Sequence, residues 1–71
     1  MNTNSKVLNA LRDTAEYHDE DNWGTTYLDN AHAKVKELSY TQFRAHLISL
    51  SKQGLYKVVD GFAWGKVKLT D

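Results

Sequence analysis

The feature that most constrains the fold of this chain is a helix near its middle with clear signals at both ends. Ser39 is a favourable N-cap, and Gln42 stands three positions later, so the two residues can form a capping box. Gly54 supplies the left-handed residue that commonly closes a helix. The apolar stripe between these signals consists of Phe43, Leu47 and Leu50. We therefore predict an amphipathic helix over residues 40–53 that buries one face.

The residues after this helix predict a β-hairpin. The segment from Leu55 to Val59 is rich in β-branched and aromatic residues, and Asp60-Gly61 is a dipeptide that favours tight hairpin turns. The segment from Trp64 to Leu69 is then the return strand. The predicted hairpin covers residues 55–69.

Two further helices are predicted upstream. The first covers residues 5–17, with Asn4 or Ser5 as its cap and one apolar face. The second covers residues 26–37, where Thr25 or Thr26 can serve as the cap. Its apolar positions also fall on a single face; they are Leu28, Ala31, Val35 and Leu38. Between the two helices, Trp23-Gly24 is predicted to be a connector that can contribute to a short third strand. The fold class is therefore α+β, in a single domain spanning residues 1–71.

The run LSYTQFRAHLISLSKQGLYKVVDG resembles the recognition-helix and wing region of winged helix-turn-helix domains. In those domains a Ser-capped helix with an aliphatic stripe ends in the pattern L-x-x-x-G-L before the wing. The resemblance implies a winged helix with a C-terminal β-hairpin wing, as in small single-domain regulators of bacteria, phages and plasmids. It also implies a double-stranded DNA partner. One departure is the turn Lys36-Glu37-Leu38-Ser39, which lacks the Gly often found between the last two helices.

Composition narrows the classes of protein. The 71 residues include no Cys, so disulfides and thiolate metal sites are excluded and a cytoplasmic location is expected. The N-terminus has neither a secretory signal nor a membrane span, so no membrane partner is expected. The net charge is zero, but residues 1–30 carry two basic and six acidic side chains, whereas residues 31–71 carry seven basic and three acidic ones. The basic half contains the predicted recognition helix and wing, which favours a polyanionic partner.

The resemblance indicates which side chains would contact DNA. In helix-turn-helix proteins the first residues of the recognition helix meet base edges in the major groove. The corresponding exposed positions are expected to be Tyr40, Thr41, Arg44, Ala45, Ile48 and Ser49. Arg44 is the candidate for base recognition, since a bidentate contact with guanine contributes roughly 1–3 kcal/mol of discrimination. The candidate phosphate contacts are Ser39, Lys34, Lys36, Lys52, Lys57, Lys66 and Lys68.

The predicted wing has an apolar tip, which is unusual for a wing that touches DNA. Phe62 and Trp64 lie at or next to the tip, where Lys, Arg or Gly would be more typical. These rings could fold back onto the core, form an interaction patch for self-association, or insert into a groove as apolar wedges do. An aromatic tip favours a protein contact over a phosphate contact.

Catalysis has little support in the sequence. The three histidines, His18, His32 and His46, are not spaced as metal ligands, and His46 is expected to be a partly buried structural residue. Neither a glycine-rich phosphate loop nor a nucleophile elbow is found. We therefore predict no enzyme activity, no catalytic residue, no metal site and no cofactor.

Two functions remain open. The first is a DNA-binding transcriptional regulator that contacts the major groove with its third helix and acts as a homodimer, since one recognition helix contacts few base pairs. The alternative is a winged-helix protein-interaction module, for example a phage-type factor that docks on host machinery. The neutral total charge and the aromatic wing favour the alternative.

Overall fold

The fold is known from a computed structural model that describes residues 2–60 and 63–70. It is an α+β fold with three helices and a three-stranded antiparallel sheet, which confirms the predicted class. The helices are α1 (Thr3–Asp13), α2 (Leu28–His32) and α3 (Tyr40–Lys52), with a 3₁₀ helix, Ala33–Val35, directly after α2. The strands are β1 (Trp23–Tyr27), β2 (Tyr56–Asp60) and β3 (Trp64–Lys68).

The predictions for α3 and the hairpin are confirmed. The Ser39 hydroxyl accepts the Gln42 N–H and the Gln42 side chain accepts the Ser39 N–H, which is the predicted capping box. At the other end Gly54 has φ +76°, and the N–H of Leu55 donates to the Leu50 carbonyl at 3.0 Å, as in a Schellman motif. Strands β2 and β3 pair within the predicted hairpin, with a register shift between Val58 and Asp60.

The first helix lies closer to the N-terminus than predicted. Residues 5–17 were expected, but α1 covers Thr3–Asp13, because the Asn2 side chain accepts the Ser5 N–H at 2.8 Å and acts as the N-cap. At its C-terminal end the Thr14 hydroxyl donates to the Ala10 carbonyl. Tyr17, which was expected to be helical, instead has φ +54°.

The second helix is shorter than the predicted range of 26–37. Thr25 and Thr26 do not cap it, because both belong to β1, where they pair with Lys66 and Gly65. The helix α2 then spans only Leu28–His32 before the chain tightens into the 3₁₀ helix. The expected short third strand is therefore a full five-residue strand.

The sheet has β3 in the middle, with the order β1-β3-β2. Alternate residues of β1 and β3 are buried, so one face of the sheet packs against the helices and the other faces solvent. The core between helices and sheet includes Val7, Leu11, Leu28, Val35, Phe43, Leu47, Leu50, Tyr56 and Val67. We call the solvent-facing side of the sheet the outer face; it carries Trp23, Thr25, Tyr27, Lys57, Trp64, Lys66 and Lys68.

Candidate nucleic-acid interface

The exposed face of α3 is a stripe opposite its buried residues. Phe43, Leu47 and Leu50 fill the core, which turns Thr41, Ala45, Ile48 and Lys52 towards solvent at a spacing of one turn. Ile48 is 54% exposed, a high value for a large apolar side chain. Thr41, Ile48 and Lys52 are three of the predicted site residues, and they do share one surface.

Tyr40 and Arg44 were expected to be exposed, but both are half-buried. The Tyr40 ring packs edge-on against His32 at 5.6 Å between centroids, and it also contacts Phe43. The guanidinium of Arg44 lies 5.9 Å from the centre of the Tyr40 ring. The expectation of full exposure was wrong because α2 brings His32 against the first turn of α3.

His32 also shapes the turn that enters α3. Its Nε2 lies 2.7 Å from the Leu38 carbonyl oxygen, which ties the end of α2 to the residue before the N-cap. The N–H of Leu38 donates to the Val35 carbonyl at 3.0 Å. This pair of contacts holds a turn without the Gly that many helix-turn-helix motifs use.

A small cleft separates α3 from β2. Arg44 and Ile48 line it from the helix, and Tyr56, Val58 and Asp60 line it from the strand. Val58 is 60% exposed and Val59 is 50% exposed. Val58 and Ile48 line this cleft together and form an apolar patch, which we define by these two residues.

The predicted phosphate contacts do not form one surface. Ser39 is exposed next to α3, but its hydroxyl already caps the helix. Lys34 and Lys36 are exposed at the connection between α2 and α3, and Lys52 is exposed at the end of α3. The other three lysines, Lys57, Lys66 and Lys68, lie on the outer face, on the opposite side of the sheet from the helices.

Each lysine of the outer face has a neighbour there. The Lys57 ammonium lies 4.3 Å from the centre of the Trp23 ring, and the Lys68 ammonium lies 6.0 Å from it. Lys66 forms an ion pair with Asp19 at 3.4 Å. Lys57 and Lys66 are direct cross-strand partners.

Asp19 is the carboxylate closest to these cations. Its Oδ1 accepts the backbone N–H groups of Trp23 and Asp21 at 3.1 and 2.9 Å. The hydrogen bond from Trp23 is the main cause that lowers the pKa of Asp19 below its ordinary value; Asp21 and Lys66 also lower it, while desolvation acts in the opposite direction. Asp19 is therefore ionised, and remains next to Lys66, throughout the neutral range.

The aromatic patch proposed from the sequence can be placed only in part. Phe62 lies outside the described residues, and Trp64 is half-buried on the outer face as the cross-strand partner of Tyr27. Neither Tyr27 nor the ring of Trp23 was among the site residues predicted from the sequence. The alternation of Trp23, Thr25 and Tyr27 could have identified them, because residues two apart in a strand share a face.

The histidines show no metal site within the described part of the chain. His46 is half-buried, as expected, and its Nδ1 lies 2.5 Å from the Asn4 side-chain oxygen. Residues 2–60 and 63–70 include no group of three potential metal-ligating side chains. Within the same residues no helix has the length and apolar character needed to cross a bilayer.

No protein-family model, curated protein or solved structure matches this chain. Its function is therefore inferred from the geometry of its own surfaces.

Proposed function

We propose that this chain is a winged-helix domain that binds double-stranded DNA as a transcriptional regulator, with α3 in the major groove. The observation that carries the proposal is the exposed stripe on α3, presented by a helix that is capped at both ends and packed on the sheet. The layout of three helices and a C-terminal hairpin completed by a third strand is compatible with this fold.

The side chains of the stripe suit a DNA groove. The hydroxyl of Thr41 can bond a phosphate or a base edge, and the methyl groups of Ala45 and Ile48 can contact thymine methyls. Arg44 lies at the edge of the stripe and remains the candidate for guanine, although it must exchange its contacts with the protein for contacts with the base. Lys52, Lys34 and Lys36 flank α3 and are the candidates for phosphate binding.

Ala45 offers the sharpest test of this function, because it is exposed at the centre of the stripe and carries no charge. We expect Ala45→Glu to abolish binding to a mixed-sequence duplex at about 50 mM salt, because a carboxylate would face the phosphates. Ala45→Lys is the matched variant and should bind at least as tightly as the wild type. Fluorescence anisotropy of a labelled duplex measures both.

Salt dependence provides a second readout for the same samples. The logarithm of the affinity should fall with the logarithm of the salt concentration, with a slope of about −0.9 for each phosphate neutralised. Equal duplex affinities of Ala45→Glu and Ala45→Lys would contradict a role for α3.

A second candidate function is a protein-interaction module, favoured by the apolar patch. Ile48 and Val58 are both more than half exposed on a small domain, and such patches commonly mark protein contacts. Absence of duplex binding by the wild type at tens of micromolar would favour this candidate.

A further inference from the structure

The outer face of the sheet combines aromatic rings with ammonium groups, outside the α3 surface proposed above. The rings belong to Trp23, Tyr27 and Trp64, and the ammonium groups to Lys57, Lys66 and Lys68. One ring lies opposite an ammonium group, since Trp23 is the cross-strand partner of Lys68, and two rings lie opposite each other, since Tyr27 is the partner of Trp64.

The placement of the lysines lowers the stability of the isolated domain through electrostatic repulsion. Lys57 and Lys66 lie directly opposite each other, and like charges in that position destabilise a sheet. Asp19 offsets part of this repulsion through its contact with Lys66. Trp23 offsets another part through its contact with Lys57. A polyanion bound along β2 and β3 would neutralise the repulsion between Lys57 and Lys66 that is left.

The charges on this side of the molecule are segregated. Asp19 contacts Lys66 from the β1 side, and Glu16 forms a single backbone bridge with Thr25 on the edge of β1. Strands β2 and β3 carry the three lysines and one acidic residue, Asp60, which is the cross-strand partner of Trp64. The electrostatic complement of these two strands is therefore a row of negative groups.

The rings restrict the kind of anion further. Trp23 and Tyr27 are four residues apart in β1, which corresponds to about 14 Å at about 3.4 Å per residue. This span is about four times the roughly 3.4 Å step per nucleotide of one DNA strand, so more than one base can stack there. Bases in a duplex are already stacked and cannot reach flat rings on a sheet.

We propose that the outer face binds single-stranded nucleic acid, with phosphates on Lys57, Lys66 and Lys68 and bases stacked on the rings. Aromatic platforms combined with a basic track are the usual means of binding single strands with little sequence preference. This site lies on the opposite side of the sheet from α3 and does not depend on the α3 proposal.

The intact chain carries its own probe for this site, because its two tryptophans, Trp23 and Trp64, both lie on the outer face. We expect an oligothymidylate of about 15 nucleotides to quench tryptophan fluorescence saturably at low salt. A duplex of the same length should quench much less. Absence of quenching by the oligothymidylate, or equal quenching by the duplex, would overturn the proposal.

Charge variants locate the binding site, with affinity measured by anisotropy of a labelled oligothymidylate. Lys57→Glu should weaken binding about tenfold or more, because it places a carboxylate against Lys66 and removes a phosphate contact. Lys6→Glu is the control with the same change of charge; Lys6 is exposed on α1 and pairs with Glu37. An equal loss in the two variants would show that only net charge matters and would refute the site.

Asp19→Asn is a variant that should raise, instead of lower, the affinity of the site. The amide keeps an oxygen that can accept the N–H groups of Trp23 and Asp21, but it no longer holds Lys66. We expect its affinity for oligothymidylate to rise about two- to threefold. Unchanged or lower affinity would contradict the placement of phosphates at Lys66.

Two further experiments test whether the outer face binds a membrane and whether the single strand binds at α3. Vesicles containing phosphatidylserine should leave the tryptophan emission unchanged; a blue shift with vesicles but not with oligothymidylate would replace the proposal with a membrane-binding face. Ala45→Glu should bind oligothymidylate like the wild type. Loss of single-strand binding in that variant would place the site on α3 instead of the outer face.

Discussion

Tyr56 shows how one side chain sets requirements for its neighbours. It is 2% exposed, and its ring lies over Gly65, where an added Cβ would collide with it. Gly65 is therefore needed for space and not for backbone conformation. Burial raises the pKa of Tyr56 to about 12, because the phenolate cannot be solvated there.

This raised pKa predicts a loss of stability in alkali. Between about pH 10 and pH 12 the unfolded chain releases the Tyr56 proton and the folded chain retains it, so the free energy of unfolding falls by about 3 kcal/mol in total. Below about pH 10 this contribution is fully present. Urea unfolding at about pH 9 and pH 11 measures the loss.

Tyr56→Phe is the control for the alkaline effect. It keeps the ring over Gly65 but has no phenol to ionise, so its stability should decline less between these two pH values. An identical decline in the variant and the wild type would assign the effect to other groups.

Individual residues were predicted well where their partners are close in sequence. Ser39, Gln42 and Gly54 have the expected roles, because a cap depends on residues three or four positions away. Tyr40 and Arg44 were predicted to be fully exposed, but both are half-buried. Their exposure depends on neighbours from α2 and β2, which no local pattern specifies.

Among the elements, the strongest local signals fixed α3 and the hairpin, whereas α1 and α2 were misplaced at their ends. Thr25 and Thr26 are good helix caps and also good strand residues, so the local signal is ambiguous. Thr25 and Thr26 form a strand instead of a helix cap because they pair with β3, some forty residues later in the chain. The outer face went unnoticed for the same reason, because it exists only once β1 pairs with β3.

The capping box predicts a measurable contribution of one hydroxyl to α3. Ser39→Ala removes the acceptor for the Gln42 N–H and should cost about 1 kcal/mol. For a domain of this size the melting temperature should fall by roughly 4–8 °C. Ser39→Asp keeps a side-chain acceptor and should melt close to the wild type; equal melting temperatures of wild type and Ser39→Ala would contradict the cap.

Across the whole molecule, residues predicted as one DNA surface are distributed over three regions. Lys57, Lys66 and Lys68 lie on the outer face, on the opposite side of the sheet from α3, so the basic C-terminal half is not one basic patch. The apolar patch of Ile48 and Val58 lies between α3 and the edge strand β2.

The second candidate function, in which the apolar patch is a protein contact, predicts self-association of the whole chain. We expect light scattering to show a mass that rises from monomer towards dimer with concentration, because exposed apolar side chains beside an unpaired strand edge favour pairing of two copies. Ile48→Asp should keep the chain monomeric. Thr41→Asp, an equally exposed position on α3, should still dimerise; a monomeric wild type at every concentration would contradict the prediction.

The central position of β3 has a consequence for the order in which the fold assembles. β1 and β2 do not bond to each other, so neither is part of a sheet until the last strand is available between them. At translation rates of about 5–20 residues per second, β1 waits roughly 2–8 s after its own synthesis for β3 to be made. Trp23 and Tyr27 therefore have no cross-strand partner in the sheet during that interval.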